Sequence, residues 1–268
     1  MRAAERFRAA GGTHLFVATQ NYAANLPHTL NEYREQFETT ERLARQVETE
    51  TGVVVYPVVA PYPIDLVGTA PALGIVAATE LQRSALDLAG DWVREKRAVA
   101  LGEVGRAHFP VSEEITSALN EAFRHALRVA HDVDCPVVVH SADLDPAGFR
   151  SLAEEAKDAG VAPGRIVKHY ARARVAPEEA GGVVPSYLAR RELVREVETD
   201  PAAWFLETDF LDDPRRPGAV LDLATVPRRA RAIAERSSEA AERLWVPFVE
   251  SVERVYGWRP ETLGGGAP

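Results

Sequence analysis

The chain has 268 residues, 46% hydrophobic and 26% charged, the composition of a soluble globular protein with ample material for a core. Its net charge of -9 excludes duplex nucleic-acid binding by the surface as a whole, since phosphate affinity needs a local excess of Lys and Arg, and the single cysteine, Cys135, excludes an internal disulfide or a thiolate-rich metal cluster. No run of ~18 uncharged apolar residues is available for a transmembrane helix, and the charged start MRAAERFRAAGG lacks the apolar centre of a signal peptide, so a cytoplasmic location is expected.

Residues 2–10 read as a helix stopped by Gly11-Gly12, and the apolar run 14–19 that follows reads as a strand. In TLNEYREQFETTERLARQVETETG, Tyr33, Phe37, Leu43 and Val47 recur on a helical period that closes at Gly52. The β-branched run 53–60 is the second strand. Helices are expected at about 77–97, 113–133, 145–159, 190–198, 226–237 and 238–256, and strands at about 98–103, 136–141, 165–170, 183–189 and 203–209. That order predicts an α/β fold with seven parallel strands, all ending on one face. A chain of this length suits one (β/α) barrel over 1–262, with a disordered tail at 263–268, although a closed barrel has eight strands and one is missing from the count.

Four ionisable residues each end an apolar run: Glu103 in AVALGEVG, His140 in CPVVVHSAD, His169 in RIVKHYA and Asp209 in WFLETDF. Successive spacings of 37, 29 and 40 residues match one strand, one helix and their loops, so a barrel brings all four to the same mouth. Two imidazoles and two carboxylates suit a divalent cation, with zinc, manganese and magnesium all open. Taken singly, each residue can be a hydrogen-bonded strand end or a turn cap. Together, a buried Glu and Asp at one mouth call for a cation.

ALGEVG, VVVHS, KHY and LETDFLDD resemble, in order and spacing, the signature segments of the TatD-related metal-dependent hydrolases, and the resemblance runs from GGTHLFVAT to VERVYGW. It implies a TIM-like barrel with one or two metal ions that hydrolyses phosphodiester bonds by a metal-activated water, often as a DNase. On this analogy Glu103 bridges two ions, His140 and His169 ligate one, and Asp209 ligates the other and helps activate water. The sequence departs from the family twice. The Asp-x-His-x-His segment of the first strand is absent, which accounts for the seven-strand count and suggests a start placed too far downstream. Tyr62 in APYPIDL stands where the family has a histidine.

Tyr62, Arg106, His108 and Arg172 are the candidate substrate contacts: arginine forks to a phosphate, and histidine can supply a proton to a leaving group. Strand alternation turns Lys168 away from the direction of His169. His14, at the wrong end of its strand, and His125 and His131, within a helix, read as structural, and His28 as a loop residue. A phosphodiester, a small anionic ester or a nucleic acid is the expected substrate. A mononuclear site, an amidohydrolase acting on a small cyclic amide, and a non-catalytic barrel that has lost half its metal site remain the competing readings. The family of amidohydrolases places a lysine at the bridging position, where this chain has Glu103.

Overall fold

In the computed structural model, which describes residues 1–21, 26–211 and 221–258, seven strands form one parallel sheet in the order β1-β2-β3-β4-β5-β6-β7. They are β1 His14–Ala18, β2 Val54–Val59, β3 Ala100–Gly105, β4 Val137–His140, β5 Ile166–Ala171, β6 Val184–Leu188 and β7 Phe205–Glu207. The sheet curls into an open, TIM-like barrel. Sequential, parallel, neighbouring strands require a crossover between each pair, and right-handed crossovers leave every C-terminal strand end on one face. No eighth strand joins β7 to β1 among the described residues. Tyr256 lies between those two edges, its ring stacked on Phe16 of β1 at 4.4 Å and against Phe205 of β7 at 6.2 Å.

The helices are α1 Arg2–Ala9, α2 Leu30–Thr51, α3 Pro63–Leu73, α4 Ile75–Arg94, α5 Glu113–Asp132, α6 Pro146–Asp158, α7 Arg191–Val197, α8 Thr225–Ala234, α9 Ser238–Arg243 and α10 Ser251–Tyr256. Helix α2 begins on a capping box, in which Thr29 and Glu32 satisfy each other's backbone N–H. It buries Tyr33, Phe37 and Val47, as its periodicity predicts. Helix α3 is an addition to the sequence reading. Its glycine and two prolines look like breakers, yet Pro63 sits in the first turn, where its missing N–H costs nothing. The expected C-terminal helix 238–256 is divided, because Pro247 falls within a π-helical turn at Val246–Glu250 that separates α9 from α10.

The largest core cluster lies between the helices and the outer face of the sheet, with Phe37, Leu86, Trp92, Leu101, Phe123, Leu127, Val137, Phe149 and Ile166 all nearly or fully buried. This layer holds the strands in register, so the positions of the strand ends follow from it. No helix among the described residues is long and apolar enough to cross a membrane. The tail 263–268 lies outside the described residues.

Candidate metal centre

The two strands that carry Glu103 and His169 are irregular at those residues. In the β3–β4 ladder Gly102 pairs with Val138 but Val104 with Val139, so Glu103 is an extra residue, a bulge. A bulge re-aims the side chain it carries, here into the mouth of the barrel. Two residues on, Gly105 has φ +135, and a Cβ there would lie 2.1 Å from the carbonyl oxygen of His140. Glycine is therefore required for the close approach at which Arg106 N–H donates to that same carbonyl at 2.9 Å. In the β5–β6 ladder Lys168 pairs with Pro185 and Ala171 with Tyr187, three steps against two, and Tyr170 sits at φ 57. The extra residue falls at the strand end that carries His169.

Glu103, His140 and His169 bring one ligand atom each to within 4.8 Å of one another. Nδ1 of His140 lies 3.1 Å from Nε2 of His169 and 3.3 Å from Oε2 of Glu103, and Nε2 of His169 lies 3.6 Å from that same oxygen. Two imidazole nitrogens and a carboxylate oxygen, converging on one point, fit a divalent cation and can hold one. In the metal-free chain the group compensates its own charge. Burial pushes the Glu103 carboxyl up, but His169 and His140 outweigh it and hold the carboxyl far below the usual range. Burial likewise disfavours the charged form of His169, and the carboxylates of Glu103 and Glu207 outweigh it, so its pKa rises. In the metal-free chain the protonated, charged form of His169 is thereby favoured beside the Glu103 carboxylate.

Glu207, at the end of β7, was not anticipated from the sequence. Its Oε1 accepts from Tyr170 N–H at 2.9 Å and lies 3.3 Å from Nδ1 of His169, while its Oε2 accepts a short hydrogen bond from the Ser186 hydroxyl. A carboxylate on the far nitrogen of a ligating histidine fixes tautomer and ring orientation. The signal was in LETD, where strand alternation sets Glu207 on the same face as Asp209. Lys168 is 1% exposed, and its Nζ donates to the carbonyls of His169 and Ser141, tying together the ends of β5 and β4.

Around His140, Nε2 meets Nδ1 of His108 at 2.9 Å and the Tyr62 hydroxyl at 3.3 Å, so both candidate substrate contacts lie beside a ligand of the triad. Asp209 stands two residues beyond β7 at φ 48 and is not one of the three converging residues. Arg106 points elsewhere than the sequence reading expects. Its guanidinium donates to Glu155 and to Asn120 at 2.6 Å each and lies over the ring of Phe123, which pins the loop after β3 to α5 and α6. Arg172 is exposed and 3.6 Å from Asp143. His14 bonds to Thr13, His28 to the Leu26 carbonyl, His125 to Asp87 and His131 to the Gly160 carbonyl, all apart from the triad. Cys135 is buried, and burial pushes its thiol up to about 12, so it is no nucleophile.

The family model described as TatD-related DNase matches residues 1–257. The uncharacterised protein MJ1127 of Methanocaldococcus jannaschii is 33% identical over 218 residues, 80% of this chain and 78% of that protein. Among solved structures, YjjV, a TatD homologue from Escherichia coli K12, superposes with a TM-score of 0.63 at 19% identity, covering 96% of this chain and 91% of its own. A TatD-like protein from Archaeoglobus fulgidus gives 0.62 at 13% identity, covering 95% and 94%. The organophosphorus hydrolase of Deinococcus radiodurans shares the fold at 0.60 and 17% identity, over 96% of this chain and 82% of that one. With a family match that spans the strands and the triad they assemble, the chain belongs to the TatD-related DNase family of hydrolases.

Proposed function

We propose that the chain is a metal-dependent phosphodiesterase of the TatD type, acting on a nucleic acid or a smaller anionic ester. The observation that carries this reading is the convergence of Glu103, His140 and His169 within 4.8 Å in a chain of that family. Zinc or manganese suits the imidazoles and magnesium the carboxylate. A bound divalent ion supplies Lewis acidity and lowers the pKa of water towards ~7. Glu103 and the two imidazoles would hold the ion, and Glu207, by accepting a hydrogen bond from Nδ1–H of His169, leaves the lone pair on Nε2 for it. Asp209 is the proposed base that orients and deprotonates the attacking water, and a second ion would require Asp209 together with donors outside the triad. Tyr62 and His108 contact the substrate, and Arg172, exposed beside the mouth, meets an anionic group further along it.

The commitment of Arg106 to Glu155 and Asn120 favours a second reading in which the substrate is a neutral ester or small amide, since one cation fewer faces the mouth. Both readings are tested by loading the chain with zinc, manganese or magnesium in turn, measuring ions per chain, and assaying bis(p-nitrophenyl) phosphate, single-stranded DNA and a cyclic amide. Hydrolysis of the diesters, lost by two or more orders of magnitude in Glu103→Ala and His169→Ala, is the expected result. A chain that retains no ion, or diester hydrolysis indifferent to Glu103→Ala, refutes the proposal.

A further inference from the structure

The two ring nitrogens of His140 have different surroundings. Nδ1 faces Nε2 of His169 at 3.1 Å and Oε2 of Glu103 at 3.3 Å, whereas Nε2 faces Nδ1 of His108 at 2.9 Å and the Tyr62 hydroxyl oxygen at 3.3 Å. Nδ1 is therefore the atom that His140 offers to a cation, and a ligating nitrogen must present its lone pair. The proton of the neutral ring then sits on Nε2. From there it is donated across 2.9 Å to Nδ1 of His108, which must accept. A neutral imidazole that accepts at Nδ1 carries its own hydrogen on Nε2. The same logic at His169, whose Nδ1 lies 3.3 Å from Glu207, places the ligating lone pair on Nε2, so the tautomers around the triad are mutually consistent.

His108 is exposed, its ring is packed edge-on by Phe109 at 5.0 Å and 90°, and its Nε2 makes no hydrogen bond among the described residues. Phe109 is itself 41% exposed, so this pair of rings forms the solvent side of the wall that His140 begins. We infer that His108 is a substrate-binding residue whose tautomer is set through His140 by the metal centre. Its Nε2–H is a fixed donor for an anionic, non-bridging phosphoryl oxygen. Loading the triad then does two things: it equips the site for hydrolysis, and it removes the tautomeric freedom that would let Nε2 of His108 turn into an acceptor and repel the same oxygen. The inference rests on the proposed metal-dependent reading. It adds the atom that recognises the substrate and the reason it does so only in the loaded protein.

Two measurements on the full chain loaded with zinc test it. Long-range nitrogen–proton correlation spectra of the imidazoles should show His108 protonated at Nε2 and unprotonated at Nδ1. Titration with inorganic phosphate, followed calorimetrically, should show affinity about tenfold weaker in His108→Phe and in His108→Asn, the loss of one charge-assisted hydrogen bond. Asn keeps an acceptor near Nδ1 for His140 while removing the outward donor, so its zinc content and zinc affinity should match the parent chain. His108 protonated at Nδ1, or phosphate affinity unchanged in both variants while zinc binds normally, overturns the inference and leaves the metal-dependent phosphodiesterase reading standing without His108 as a substrate contact. Failure of the parent chain to bind zinc overturns both.

Discussion

Glu207 serves three partners, and replacing it separates metal binding from folding. In Glu207→Ala, Tyr170 N–H and the Ser186 hydroxyl lose their acceptor, and Nδ1 of His169 loses the carboxylate 3.3 Å away. An unsatisfied buried donor costs ~1–3 kcal/mol, so two of them predict a destabilisation of about 2–6 kcal/mol, read as a lower midpoint in urea. Loss of the carboxylate behind a ligating imidazole lowers metal affinity ~10–100-fold, or about 1.4–2.7 kcal/mol. Glu207→Gln divides the two effects. Its amide oxygen still accepts from Tyr170 N–H, so most of the stability should return, while the missing charge leaves metal affinity about tenfold weak and brings the pKa of His169 down. Competition titration against a chelator measures the affinity, and imidazole proton shifts followed against pH measure His169. Parent-like zinc affinity in both variants would refute the assignment of Glu207 as the partner that orients His169.

Metal uptake should release a proton and strengthen as pH rises towards about 9, the raised pKa of His169, gaining about tenfold per pH unit below it; an affinity flat between pH 6 and 8 would contradict this. In the metal-free chain the sign for stability is opposite. His169 contributes fully below its ordinary value of 6.5 and loses that contribution as pH rises through about 9, while Glu103 contributes above 4.5 and loses it as pH falls through about 2, so urea midpoints without metal should decline between about pH 6.5 and 9 and level off above. Gly105→Ala sets a Cβ 2.1 Å from the His140 carbonyl oxygen at φ +135, and should cost at least ~3 kcal/mol in chemical denaturation together with loss of metal binding. Arg106→Ala should lower stability by about 1 kcal/mol and leave KM for a diester unchanged, because its guanidinium is held by Glu155 and Asn120; a large rise in KM would restore it as a substrate contact.

The fold was legible because its strands β3, β5 and β6 are buried on both faces and the others are mostly apolar. Such strands read as short continuous apolar runs, and the runs ending at Val59, Glu103, His140 and His169 stand out against the 3.6-residue period of the helices between them. Helix α3 was not legible, since proline and glycine punctuate it and only its docking against the neighbouring helices overrides that local preference. Nor was the fate of Arg106, which depends on Asn120 and Glu155, two residues on different helices that the crossovers bring over the loop after β3.

By itself the sequence determined the order of the strands, the common face of the strand ends and the membership of Glu103, His140 and His169 in one site, because each is a local or topological property of a parallel α/β chain. The tertiary structure alone decided how those side chains are aimed. Bulges at Glu103 and beside His169 break the two-residue alternation on which sequence reasoning depends, Gly105 lets a neighbouring carbonyl approach, and the buried Lys168 ammonium ties the carbonyls of His169 and Ser141 together. It also decided which nitrogen each imidazole offers, since that depends on the atoms facing the ring: Glu207 behind His169, and His108 with Tyr62 behind His140. These are distances of about 3 Å between residues up to 78 positions apart in the chain, and no local pattern encodes them.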